Sequence, residues 1–211
     1  MNNDYPVGLS IDYPDRALNR LTTALRIFTV IPIVIVVGSI TGYSARYGGQ
    51  GGSGATSIAV GGTGLLFLPA LLMIVFRQRY PRWWFDWNLQ LLRFFTRLGL
   101  YFALMDDRYP STEDEQSLHL DFAYPDVEHE LNRWLPLVKW FLAIPHYIVL
   151  LFLYLGAIVV VIGAWFTILL TGHYPRGMFG YVEGVIRWHN RVVAYAFVLV
   201  TDQYPPFQLR P

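Results

Sequence analysis

Apolar residues crowd three stretches of this chain, 27–40, 65–76 and 140–172, and the segments between them change period rather than simply turning polar. Residues 7–13 and 118–124 alternate apolar and polar side chains, the period of two that short strands require. We expect these two strands to lie near each other, where they could pair. In 82–105, Asp86, Gln90, Arg93 and Arg97 recur at helical spacing and form one polar stripe among Trp, Leu and Phe. In 177–200, Glu183, Arg187, Asn190 and Arg191 stand opposite Val182, Val185, Ile186, Val193 and Phe197. Both segments read as amphipathic helices lying in a membrane interface; the alternative is that each spans with its arginines facing a bundle interior.

The pattern occurs twice. Tyr13-Pro14-Asp15, Leu18-Asn19-Arg20 and the run from Arg26 to Pro32 return as Tyr124-Pro125-Asp126, Leu131-Asn132-Arg133 and the run from Lys139 to Pro145. Further on, Tyr80-Pro81-Arg82, Arg93, Arg97, Tyr101 and Asp107-Arg108-Tyr109-Pro110 return as Tyr174-Pro175-Arg176, Arg187, Arg191, Tyr195 and Asp202-Gln203-Tyr204-Pro205. The expected fold is an all-α membrane protein of two tandem repeats, each a kinked transmembrane hairpin followed by an interfacial helix, with a short strand-like segment before each. The first repeat covers 1–110, with helices at about 27–43 and 58–76 and an interfacial helix at 82–105. An acidic connector covers 111–130. The second repeat covers 131–211, with helices at about 136–155 and 156–172, an interfacial helix at 177–200 and an extended tail. One helix over 140–172 would be far longer than ~30 Å of hydrocarbon, so a turn is placed at Leu155-Gly156. The first helix of each repeat is expected to start near Asp15 or Arg16 and near Glu130, and to kink at Pro32 and Pro145.

Composition supports lipid as the main solvent: 54% of residues are hydrophobic and 15% charged, against the roughly 25% charged of soluble domains. A net charge of +1 gives no basic face for nucleic acid, and the absence of cysteine removes disulfides, thiolate metal sites and cysteine nucleophiles. Aspartates at 4, 12 and 15 precede any apolar run, which is the wrong charge for a cleavable signal peptide. With both repeats folded as hairpins, Arg46 is the one cation of sixteen on the loop side, so the positive-inside rule sets both termini in the cytoplasm of a multi-pass inner-membrane protein. The glycine-rich stretch 41–64 lacks the lysine of a phosphate loop and reads as a linker.

The chemistry on offer is sparse. The sets Arg93, Arg97, Tyr101 and Arg187, Arg191, Tyr195 each lie along one helix face and could hold lipid headgroups or another anion; the favoured, plainer reading is that the arginines snorkel and pair with nearby carboxylates such as Asp86 and Glu183. His146, next to Pro145 at membrane depth, could bind haem iron or relay a proton, or donate to a carbonyl freed by the proline. The nine carboxylates between Asp106 and Glu130 form a solvated connector, a docking segment, or a cover for the arginine stripes. The repeated tryptophans, Trp83, Trp84, Trp87, Trp134, Trp140 and Trp188, read as membrane-belt anchors. No nucleophile elbow, metal motif or nucleotide fingerprint is present, so neither enzyme activity, cofactor nor metal is expected.

Leu131-Asn132-Arg133, Ala143-Ile144-Pro145-His146, Ala164-Trp165-Phe166, the run from Thr171 to Gly177 and the run from Thr201 to Phe207 together resemble the bacterial membrane-protein family labelled domain of unknown function 4389. The resemblance covers nearly the whole chain and is most specific in its second half. It implies an integral, helical membrane protein and brings no catalytic residues. The expected function is a non-enzymatic scaffold or accessory subunit that packs in a larger membrane complex or with copies of itself. The alternative is a lipid- or anion-binding transport module using the paired arginine faces. A haem or quinone protein built around His146 ranks third.

Overall fold

The computed structural model describes residues 5–41, 67–112, 114 and 116–210. The alternating segments form β1 (Val7–Ile11) and β2 (Leu118–Phe122), paired antiparallel with Leu9 opposite Leu120. Gly8, Ser10, His119 and Asp121 point outward and are exposed, while Val7, Leu9, Ile11, Leu118, Leu120 and Phe122 are buried beneath. A strand pair with one polar face needs something apolar under the other.

That covering is helical. α1 is Arg20–Thr41, α2 is Phe67–Leu72 with a π-helical turn to Arg77, and α3 is Arg82–Phe102. After β2, a short turn at Leu135–Leu137 leads to α4 (Lys139–Leu142), α5 (Ile144–Thr171) and α6 (Arg176–Val193), the last ending in a π-helical turn to Val198. Strand β1 packs on α6 and β2 on α3. Helix α6 runs antiparallel to α5: Trp188 bonds His146 near the start of α5, while Met178 lies beside Gly163 in its far half. Helix α1 runs antiparallel to α5 on the same level, with Leu18 N donating to Gly172 O and Trp165 Nε1 to Thr23 O. Three layers result: the sheet, then α3 and α6, then α1 and α5.

The turn expected at Leu155-Gly156 does not exist. Residues 144–171 are one helix of 28 residues, about 42 Å long at 1.5 Å per residue. Gly156 serves close packing instead, since a Cβ there would stand 2.5 Å from the Tyr181 hydroxyl oxygen. The helix ends at Gly172, whose φ of 79° closes it in the left-handed conformation.

Helix starts also differ from expectation. Asn19 accepts from Leu21 N at 2.9 Å and caps α1, which therefore begins at Arg20 rather than near Asp15. In the second half, Asn132 accepts from Trp134 N in the same way, and regular helix begins at Lys139. Pro32 lies inside α1, but Pro145 sits in the first turn of α5, after a break at Ala143. A proline in a first turn removes no intrahelical bond. The glycine-rich stretch from 42, and the start of the helix expected at 58–76, lie outside the described residues.

Candidate functional site

Seven residues carried the functional expectation, and six of them lie in the middle layer. Arg187 is 7% exposed; its Nε donates to Leu9 O at 3.2 Å, its Nη1 to Leu209 O at 3.1 Å, and its Nη2 pairs with Glu183. Arg93 makes the corresponding contacts on the other strand, with Nε on Leu120 O at 2.8 Å and Nη2 on the Asp121 carboxylate at 2.6 Å. Arg97 Nη1 donates to Ser111 O at 2.9 Å, and Arg191 Nη1 to Arg210 O at 3.2 Å. Each guanidinium thus ties its helix to a strand or to the chain that follows the helix. Burial, then the like charge of Arg187, lower the pKa of Arg191.

These contacts correct the reading of α3 and α6 as interfacial helices with arginines turned to phosphates. On α6, Trp188 and Val192 pack with Leu150 of α5 while Arg187, Asn190 and Arg191 are also buried, so no arginine stripe faces outward. The physical reason is the supply of acceptors: strand and tail carbonyls satisfy N–H groups that water or phosphate would otherwise take. The acidic stretch reaches the arginine stripes by one ion pair among the described residues, Asp121 on Arg93.

Tyr101 and Tyr195 are 4% and 2% exposed, and each lies under a cation from the start of an apolar helix. Arg26 stands 4.3 Å from the Tyr101 ring centre and Lys139 5.2 Å from that of Tyr195. Arg26 Nη1 donates to Tyr101 O and Asp106 O, both at 2.8 Å, and Lys139 Nζ donates to Thr201 O at 2.7 Å. The expected sites omitted Arg26 and Lys139. Their signal was the cation six residues before each proline, Pro32 and Pro145.

His146 is fully buried, accepts from Trp188 Nε1 through Nδ1 at 3.0 Å and stacks on Phe207 at 4.0 Å. The expected donation to a carbonyl freed by Pro145 is replaced by this aromatic cage, which pins the C-terminal tail to α5. Trp188, 5% exposed, belongs to the cage and not to a belt, whereas Trp83, Trp87, Trp134 and Trp140 are exposed. Among the described residues no three His, Cys, Asp or Glu groups gather as metal ligands.

Lys139, His146 and the whole α5–α6 pair fall within residues 134–208, which match the family model described as Domain of unknown function (DUF4389). This stretch is similar to that family. The match is narrower than the whole-chain resemblance and lies on the more specific second half. No curated protein and no solved structure matches the chain. The DUF4389 description names no activity, so roles for Lys139 and His146 rest on the contacts above.

Among the described residues one helix, α5, is long and apolar enough to cross a membrane, by length and composition.

Proposed function

We propose that the protein is a non-enzymatic membrane scaffold or accessory subunit, built by internal duplication, whose α1–α5 layer lies flat in one leaflet while the sheet side faces water. The carrying observation is the exposure of α5. Ile148, Leu151, Phe152, Leu155, Val159, Ile162, Phe166 and Leu170 are all exposed along its length, and Leu21, Leu25, Phe28, Ile31 and Ile35 continue the surface on α1. A soluble core helix would hide these side chains, and an apolar face this size marks a membrane or partner surface. The exposed tryptophans, with exposed Arg16, Arg20, Arg77, Arg79, Arg133 and Arg176 near helix ends, suit a headgroup rim.

Flat embedding fits better than the multi-pass arrangement read from sequence. His146, Leu150, Ala157, Ala164 and Ile168 form a buried stripe along the whole of α5, and much of it rests on α6. Were α5 to span, α6 would be carried across with it, along with β1 and the polar outer face of the sheet. Unpaired polar groups in hydrocarbon cost several kcal/mol each, which disfavours that arrangement. Arg187 binds both Leu9 O and Leu209 O, so the two chain ends share the water side.

The duplication is supported by contacts that recur in swapped form. Tyr13 donates to Tyr174 O and Tyr124 to Tyr80 O; Arg187 meets β1 and Arg93 meets β2. Leu9 pairs with Leu120, and Thr96 Oγ1 lies 3.2 Å from Asn190 Oδ1, two pairs of matching positions that a pseudo-two-fold axis would have to join. Extraction in native-lipid nanodiscs tests the function: recovery in a defined complex or homo-oligomer is expected, and a monomer with no partner under those conditions would contradict the scaffold reading.

A further inference from the structure

Between α1 and the far half of α5 is a cavity of about 380 Å³, within the usual ~300–1,000 Å³ of small-molecule sites. Val30, Leu104, Val161 and Trp165 form apolar walls, and Thr23 and Arg26 line the remaining side, with the Thr23 hydroxyl and the Arg26 Nε and Nη2 just behind its surface. Thr23 is 1% and Arg26 4% exposed. Arg26 uses Nη1 on two carbonyls, but its Nε and Nη2, and the Thr23 hydroxyl, have no partner. Nε and Nη2 form one edge of the planar guanidinium, the edge that meets two oxygens of an anion side by side.

The matching cation is treated differently. Lys139 lies 2.7 Å from the carboxylate of Asp202, which neutralises it. Asp107 holds the place of Asp202 in the first half, yet it pairs with Arg16. Among the described residues, no carboxylate forms an ion pair with Arg26. Asp107 and Asp106 offset the Arg26 charge only from a distance, and buried donors without acceptors add to the cost of burying it. Both the charge and the donors are relieved by one event, arrival of an anionic oxygen.

We propose that this cavity binds an amphiphile with an apolar chain and a carboxylate or phosphate head, the chain lying against Val161 and Trp165 and the head meeting the Arg26 edge and the Thr23 hydroxyl once a turn of the Arg26 side chain opens them to the cavity. Exposed Phe102 and Ile162 stand at its mouth, on the face read above as embedded in lipid. The site rests on that reading only for its supply of ligand.

The full chain, stripped of native lipid in a neutral detergent, is titrated with radiolabelled oleate and with methyl oleate. In parallel it is placed in nanodiscs of phosphatidylglycerol or phosphatidylcholine and its retained lipid is measured by mass spectrometry. The wild type is expected to prefer the anionic member of at least one pair by tenfold or more. Preference for oleate over its ester identifies a carboxylate head; preference for phosphatidylglycerol alone identifies a phosphate head. Arg26→Met should abolish the preference, and Val161→Trp, which fills the cavity and keeps the cation, should abolish binding even if the first variant fails to fold. No preference in either pair, or undiminished binding by folded Val161→Trp, overturns the site. Protein that binds oleate but fails to float with liposomes would refute the membrane reading and leave the site standing.

Discussion

The two arginines that reach the strands are not equivalent, and burial decides how much each contributes. The Arg187 side chain is 8% exposed and serves two carbonyls and a carboxylate, so Arg187→Ala leaves Leu9 O, Leu209 O and Glu183 without their donor. Loss of a buried charged partner costs about 3–5 kcal/mol. Arg93 is 24% exposed and its partner Asp121 79%, so Arg93→Ala should cost about 1 kcal/mol, nearer the range of surface pairs. Denaturant unfolding of the two variants in one detergent checks the ranking; equal losses would contradict it. Asp106 gives a pH test. Burial raises its pKa, but hydrogen bonds from Arg108 and Ser117 lower it further, to a net value below the ordinary 3.8. A carboxyl depressed in the folded state stabilises the fold above its unfolded pKa, and that contribution disappears as pH falls through its folded value. Asp106→Asn should therefore reduce stability at neutral pH and flatten the loss on acidification below about 4, measured by thermal melting across pH.

At the level of elements, the strands and both amphipathic helices were legible because their periods of two and 3.6 survive whatever covers them. The continuity of α5 was not. An apolar run of this length exceeds the bilayer thickness, and a spanning argument forces a turn at its glycine. That glycine answers to Tyr181 instead, a contact from another helix that no local pattern carries. The arginine stripes were legible as stripes, and so was Glu183 as a partner of Arg187, but most of their other partners are backbone carbonyls of β1, β2, Ser111 and the tail, which leave no trace in side-chain sequence. The tail itself depends on Gly184, where a Cβ would stand 2.9 Å from both Cβ and O of Leu209. Gly184→Ala should push the tail off α6 at a cost of about 1–3 kcal/mol, as overpacking does. Faster proteolysis at the C-terminus with the remainder intact is the expected readout; an unchanged cleavage rate would argue that Leu209 is not held there.

For the whole molecule, the central claim is that α5 lies along the membrane and not through it. The chain has no cysteine, so single labels can be introduced without background. Spin labels at Ile148→Cys, Leu155→Cys, Val159→Cys and Phe166→Cys, all on the exposed face of α5, can be read for depth by their collisions with oxygen and with a nickel chelate in liposomes. The flat layer predicts four nearly equal depths within one leaflet. A profile that is deepest at Leu155 and Val159 and shallow at Ile148 and Phe166, with those two ends labelled by an impermeant maleimide from opposite sides, would contradict it.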